Sequence, residues 1–159
     1  MEPRIEQLKE KRLIGLRMSI NLAQYNIGEL WKRFMPRRNE IQNSISNDLI
    51  SLAVYGDSYF TDFNPTNQFE RWAAVEVSNL DDVPPGMETY ILSEGLYAVF
   101  DYKGLTTDRS IFQYIYATWL PNSKFELDHR AHFEVLGKNY RNNDPTSEEE
   151  IWIPIKIMM

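Results

Sequence analysis

The chain has 159 residues, of which 43% are hydrophobic and 25% are charged, and these proportions exclude an intrinsically disordered chain. The net charge of −6 disfavours nucleic acid as a direct partner, because phosphate binding requires clustered Lys and Arg. There is no cysteine, which excludes disulfides, thiolate catalysis and Cys-based zinc sites. The N-terminal residues lack an apolar leader and no stretch approaches the length of a membrane span, so we expect a cytoplasmic protein without a membrane partner.

The first half of the chain predicts one strand, one helix and two further strands. Residues 12–20 are rich in apolar and β-compatible side chains and follow a charged extended segment. Between residues 24 and 42 the apolar side chains recur at helical spacing, and Pro36 is expected to end or kink this helix. Strands are predicted over 49–55 and 69–77, separated by polar turn residues.

The second half repeats this order after a segment that disfavours regular structure. Residues 79–87 contain Pro-Pro-Gly and two aspartates, and this composition indicates a linker. A long strand region over 88–102 follows, and Asp108 is expected to cap a helix. Two strands, 132–136 and 151–157, complete the chain.

The two halves therefore predict a duplicated fold. Repeat one covers 1–78 and repeat two covers 88–159, and each reads strand, helix, strand, strand. The clearest match joins residues 71–77 to residues 151–157, since each segment has tryptophan in second place. We predict a single α+β domain over residues 1–159, with pseudo-twofold symmetry, antiparallel sheets, helices on one face and a ligand cleft between the halves.

Strand alternation selects the side chains that face this cleft. In the last strand we assign the isoleucines to the core beneath the helix, which turns Trp152 toward the cleft, and the repeat turns Trp72 the same way. Phe133 and Val135 are assigned to the core, so the residues after each of them face the cleft. The predicted ligand-binding residues are Glu134, Trp152, Trp72, Tyr55 and Leu136. Aromatic faces around one carboxylate favour a flat organic cation.

The remaining titratable clusters predict no metal site, no cofactor and no catalytic residue. His129 and His132 are three residues apart, but the charged residues beside them indicate a polar loop rather than a zinc site. The acidic run Glu148–Glu150 is interpreted as a solvated turn and strand start.

Several short segments resemble the GyrI-like (gyrase-inhibitor-like) effector-binding domain family, most clearly in the second half. The resemblance rests on Gly95–Phe100, Trp119–Ser123, Phe133–Val135 and Glu150–Lys156, which occur in the order and spacing of the family. Similar domains form the ligand-sensing part of AraC-type and multidrug MerR-type transcription regulators. The resemblance implies two strand-helix-strand-strand repeats around a cleft, and it implies that Glu134 is the glutamate that contacts lipophilic cations.

Two features depart from the family pattern. Leu136 stands where the family commonly has a tyrosine, which makes the cleft more apolar. All 159 residues are accounted for by the sensor-like domain, so we expect no helix-turn-helix region and no direct contact with DNA.

The expected function is that of a stand-alone protein that captures an amphipathic, cationic small molecule, with a homodimer or a separate protein as a further partner. Two alternatives remain open. The protein could hydrolyse a reactive electrophile with Glu134 as the general base, or it could inhibit a macromolecule through its acidic surface.

Overall fold

The fold contains nine strands and two helices joined by loops. The computed structural model describes all residues 1–159. The strands are β1 (Arg4–Leu8), β2 (Lys11–Ile20), β3 (Leu49–Val54), β4 (Phe69–Val77), β5 (Glu88–Leu92), β6 (Gly95–Lys103), β7 (Phe125–Leu127), β8 (His132–Leu136) and β9 (Glu148–Ile157). The helices are α1 (Ile27–Phe34), continued by a 3₁₀ turn over Met35–Glu40, and α2 (Ser110–Tyr114), continued by a π-helical turn over Ile115–Trp119. The α+β prediction is confirmed, and the short β7 was not predicted.

The strands form an antiparallel sheet in the order β1-β6-β9-β8-β3-β4-β2-β5, and β7 pairs with the far end of β9. Strands β2, β3 and β4 come from the first repeat, and β6, β8 and β9 come from the second. The pair β3–β8 joins the repeats at the centre. The outer strands are exchanged, because β1 pairs with β6 and β5 pairs with β2. The two repeats therefore share one continuous sheet.

The register of β3 and β8 locates the pseudo-twofold axis. The match between the repeats makes Leu52 equivalent to Phe133, and these two residues are direct partners in the sheet. An antiparallel pair that meets at equivalent residues has a local twofold axis through that pair. Beside the axis, Ser51 is paired with Glu134, whereas the residue equivalent to Glu134 is Ala53. The backbone symmetry is therefore not shared by the side chains, and only one repeat contributes a carboxylate here.

The sheet curls around its helix-free face. The links Lys9–Glu10 and Ser93–Glu94 each join strands that lie near opposite edges of the sheet. A link of this length spans roughly 10 Å, so the two edges must approach each other there. The enclosed face holds the largest apolar cluster, which draws on outer and central strands: Leu8, Leu13, Ile50, Leu52, Trp72, Ala74, Leu92, Tyr97, Val99, Ala131 and Phe133. This face is buried without the help of a helix.

The two helices cover the opposite face, one on each side of its centre. Leu30 and Phe34 of α1 pack in one apolar cluster, and Ile111 and Ile115 of α2 and its π-helical turn pack in another. Helix α1 ends at Phe34, as predicted from Pro36, since proline lacks the amide hydrogen that continues a helix. The central strands β3 and β8 are left between the helices. Neither helix combines the length and apolar composition needed to cross a membrane.

Candidate functional site

A small hollow lies over β3 and β8 and is bordered by α2 and the π-helical turn that continues it. The lining residues with polar or aromatic character include Tyr55, Arg71, Arg109, Tyr116, His132 and Glu134. The hollow has a volume of about 10 Å³, which is room for about one water molecule. The two repeats thus enclose a site that is nearly filled by its own side chains.

Glu134 supplies a carboxylate to this hollow. Its side chain is 16% exposed, and Oε1 lies 3.8 Å from Nη2 of Arg71, whose side chain is 5% exposed. This separation is too long for a hydrogen bond, and Nη2 of Arg71 donates instead to Oγ of Ser51. The Glu134 carboxylate accepts no hydrogen bond from any side chain. Its negative charge is therefore compensated by Arg71 at a distance, while its acceptor positions are free.

Aromatic rings form the wall beside this carboxylate. The ring of Tyr55 lies 4.8 Å from that of His132, and the hydroxyl of Tyr116 lies 3.0 Å from Nδ1 of His132. Burial lowers the pKa of His132 to about 3, with further lowering by the charges of Arg71 and Arg130. The imidazole is therefore neutral near pH 7, so it adds a ring to the wall without adding positive charge.

The loop between β3 and β4 packs the ring of Phe60 against the aromatic wall of the hollow. This ring stacks on His132 at 5.5 Å with an interplanar angle of 17°, and it lies 4.9 Å from Tyr55 and 5.5 Å from Tyr116. Phe60 nevertheless remains 42% exposed. It therefore contacts three ring residues of the site from the solvent side.

Arg109 lies at the opening of the hollow with its guanidinium over two rings. Its Cζ is 4.2 Å from the ring centroid of Phe112 and 5.4 Å from that of Tyr25. Tyr25 precedes α1 and Arg109 precedes α2, so this contact brings the starts of the two helices together. The rings of Phe112 and Tyr25 therefore already contact one cation at the opening, the guanidinium of Arg109.

A second carboxylate, Glu149, lies on the same face of the sheet. Ile151 is the sheet partner of Glu134, and Glu149 comes two residues earlier in β9, which places it diagonally from Glu134 at roughly 7 Å. Glu149 is 8% exposed, and its Oε2 has no hydrogen-bond partner. Burial, and then the charge of Glu134, raise the pKa of Glu149 to about 8. The interpretation of Glu148–Glu150 as a solvated turn is therefore wrong at Glu149.

Trp72 and Trp152 lie on the opposite face from Glu134. The sheet pairs Phe133 with Trp152, and direct partners in antiparallel strands point to the same side. The indole of Trp152 stacks on Phe133 at 5.1 Å, and Trp72 is 4% exposed in the cluster of the helix-free face. The prediction that both tryptophans share a face with Glu134 is wrong, as is the assignment of Phe133 to the helix-covered core.

Tyr55 and Leu136 lie on the predicted face. Tyr55 lines the hollow together with Glu134. Leu136 follows Glu134 by two residues and is 7% exposed, but it pairs with Leu49 outside the lining of the hollow. The structure thus brings Glu134 and Tyr55 together. Trp152 also belongs to the lining of the hollow, although its indole points to the opposite face, and Trp72 and Leu136 lie outside the lining.

The sequence analysis missed Arg71, Tyr116 and the packing of Phe60 against the ring wall. A signal existed for Arg71, because it interrupts the apolar strand Phe69–Val77 and a buried arginine requires an acidic partner. Tyr116 and Phe60 offered no comparable signal, since they belong to a π-helical turn and a loop whose positions depend on tertiary packing.

A carboxylate among aromatic rings at the junction of two repeats is typical of a small-molecule-binding domain. Residues 1–156 match the family described as the GyrI-like small molecule binding domain. The chain belongs to this family, as its motifs indicated.

Known proteins support this assignment. The transcriptional regulator BrlR of Pseudomonas aeruginosa is 29% identical over 157 residues, which are 98% of this chain and 56% of BrlR, so the chain spans little more than half of that regulator. The structure of SAV2435 bound to tetraphenylphosphonium has a TM-score of 0.72 and 19% identity, covering 98% of this chain and 94% of SAV2435. The EcmrR C-terminal domain has a TM-score of 0.72 and 11% identity, covering 99% of this chain and 98% of that domain. At these identities the two structures show a common fold.

Proposed function

We propose that this protein binds an amphipathic organic cation in the hollow, with Glu134 as the counter-charge and the rings of Tyr55 and Tyr116 as walls. The observation that carries the proposal is the mostly buried Glu134 carboxylate, which accepts no hydrogen bond and lies among rings. A cation whose charge is shielded by aromatic substituents needs an anion and ring faces rather than hydrogen bonds. The tetraphenylphosphonium complex of SAV2435 supports this class of ligand.

The proposal is tested by titrating the protein with tetraphenylphosphonium and with triphenylphosphine oxide, an uncharged molecule with similar rings. A ligand that binds only the folded state raises the midpoint of thermal unfolding as its concentration increases. We expect a concentration-dependent rise with the cation and a much smaller rise with the uncharged molecule. No rise with the cation would contradict the proposal, and equal rises would contradict its electrostatic part.

Binding requires the hollow to open. Small-molecule sites commonly have volumes of roughly 300–1,000 Å³, whereas this hollow has about 10 Å³. Among the rings packed together at this wall, Phe60 has the greatest freedom to leave, since it lies on a loop and is 42% exposed. We therefore infer that a ligand displaces Phe60 and takes over its ring contacts with Tyr55, Tyr116 and His132.

The substitution Phe60→Ala is expected to tighten tetraphenylphosphonium binding by about 5- to 30-fold and to accelerate association. The ligand would no longer have to break the aromatic contacts of Phe60, which are worth about 0.5–1.5 kcal/mol for each pair. Isothermal titration calorimetry measures the affinity, and stopped-flow mixing measures the association rate.

Phe63→Ala is the matched control for the loop. Phe63 lies on the same loop and is 53% exposed, and its ring contact is with Tyr59 at 5.7 Å, away from the hollow. We expect its affinity to match that of the wild type. Weaker binding by Phe60→Ala would show that Phe60 remains in place and contacts the ligand, which would overturn the displacement.

A further inference from the structure

The two buried charges of the ligand-free site, those of Glu134 and Arg71, match each other without Glu149. Glu134 carries one negative charge and faces the permanently positive Arg71, while Arg109 adds a second positive charge at the opening. A bound cation would add a further positive charge to this set. With one ionised carboxylate the occupied site is more positive than the ligand-free site by one charge, and ionisation of a second carboxylate would restore the original net charge.

Glu149 is positioned to supply that charge. It is 8% exposed, its Oε2 has no hydrogen-bond partner, and it lies diagonally from Glu134 on the face that bears the hollow, just outside the lining of the hollow and beside the neighbouring groove. A buried carboxylate without a partner is stable only when it carries a proton. The acid form therefore predominates in the empty protein.

Charged and titratable groups surround Glu149 on both sides. On the helix side these groups are Glu134, Arg71, Arg109, Tyr102 and Tyr140. Each of them interacts electrostatically with the carboxyl group of Glu149. In the neighbouring groove at the end of the sheet they are Asp48, Asp101, Lys103, Lys138, Glu148 and Glu150. Asp101 and Glu150 are both paired with Arg4, and Lys103 and Lys138 offset Asp48 and Glu148. None of these charges gives the buried Oε2 a hydrogen bond.

We propose that Glu149 is the residue that couples ligand binding to proton release: a cation enters the hollow as the Glu149 carboxyl loses its proton to solvent. This inference rests on the proposed cation-binding function. The site gains one positive charge from the ligand and loses one with the proton, so its net charge is unchanged. Glu134 anchors the ligand, whereas Glu149 sets the pH range over which it binds.

The sign of the pH dependence follows from the proton balance. The pKa of Glu149 in the empty protein is about 8, raised first by burial and then by Glu134. A nearby cation favours the ionised form, so binding lowers this pKa. Affinity should therefore rise by up to tenfold per pH unit between the lowered pKa of the occupied protein and pH 8, where one proton is released per ligand, and become constant above pH 8.

The full chain is titrated with tetraphenylphosphonium by isothermal calorimetry at pH 6, 7 and 9, in buffers that differ in ionisation enthalpy. The wild type is expected to release close to one proton per ligand at pH 6 and 7, and almost none at pH 9. Glu149→Gln should release none, and its affinity should not vary with pH. Glu148→Gln, an exposed neighbour in the same strand, should behave as the wild type.

A second measurement requires no ligand. Because the folded-state pKa of Glu149 is raised from 4.5 to about 8, the folded protein holds a proton that the unfolded chain loses in this range. The free energy of unfolding of the wild type should therefore fall relative to Glu149→Gln as the pH rises from 4.5 to 8. Urea unfolding at several pH values measures this difference.

The outcomes separate this inference from the proposed function. Cation binding without proton release at pH 7, or proton release retained in Glu149→Gln, would overturn the coupling and leave the proposed function standing. Failure of tetraphenylphosphonium to bind the wild type even at pH 9 would overturn both. A stability difference between wild type and Glu149→Gln that is constant with pH would also overturn the assignment to Glu149.

Discussion

Glu134→Gln is expected to weaken tetraphenylphosphonium binding by about 10- to 100-fold. Two unit charges 5 Å apart interact by about 3 kcal/mol at an effective dielectric constant of 20, and the substitution removes that attraction. It also leaves Arg71 without its partner at 3.8 Å, so the guanidinium then repels the incoming cation. Glutamine has nearly the same size as glutamate, so the shape of the hollow is kept. Calorimetric titration at pH 9 isolates this effect, because Glu149 is ionised there.

The uncharged triphenylphosphine oxide provides the internal control for Glu134→Gln. Its affinity should change far less than that of the cation, because the loss is electrostatic. If Glu134→Gln bound the cation as tightly as the wild type, the counter-charge would have to come from another residue. If both ligands lost affinity equally, the substitution would have altered the hollow itself, which an unchanged near-ultraviolet spectrum would exclude.

The order and limits of most elements were predictable because their signals are local. Pro36 marks the end of α1, and the Pro-Pro-Gly sequence within residues 79–87 marks the link between repeats. Strand β4 and strand β8 were predicted at their observed limits because alternating apolar residues and flanking turn residues define short strands. The repeat was visible because equivalent tryptophans occur in equivalent strands.

The faces of β8 were not predictable from its own residues. Both sides of the sheet are buried, so Phe133 and Val135 are as apolar as the side chains of a helix-covered face, although they lie on the other side. The face to which each side chain of β8 points depends on the register of its pairing with β9. Phe133 pairs with Trp152, and a shift of the pairing by one residue would turn every side chain of β8 to the other face of the sheet. Strand alternation gives two sets of residues, and only the partner strand shows which set faces which layer.

Curling of the sheet explains why the tryptophans were misplaced. The prediction treated the helix-free side as the open wall of a cleft, on the assumption that a sheet with helices on one face leaves the other uncovered. Exchange of β1 and β5 between the repeats brings the sheet edges together and buries that side. This exchange involves contacts between residues far apart in sequence, such as Ile5 with Ala98, which no local pattern indicates.

Trp152→Ala is expected to destabilise the protein by about 3 kcal/mol while leaving cation affinity within about twofold of the wild type. Removing a large aromatic side chain from a packed cluster leaves a cavity and typically costs about 3–5 kcal/mol, and the lower end applies because Trp152 is only partly buried. Its indole stacks on Phe133, lies 5.8 Å from the ring of Tyr97 and donates from Nε1 to Glu150 at 3.0 Å, and these contacts lie on the face of the sheet opposite to the Glu134 side chain. Urea unfolding measures the stability.

The comparison of Trp152→Phe with Ile157→Ala decides whether this tryptophan acts in packing or in binding. Phenylalanine keeps part of the stack, so it should recover part of the lost stability. Ile157 is 59% exposed at the end of the same strand, and its truncation should change stability by no more than about 0.5 kcal/mol. A ligand contact by the indole would give the reverse pattern, in which a folded Trp152→Phe protein loses cation affinity tenfold or more. That result would require the cation to bind on the helix-free face, where the curled sheet packs both tryptophans against its apolar cluster.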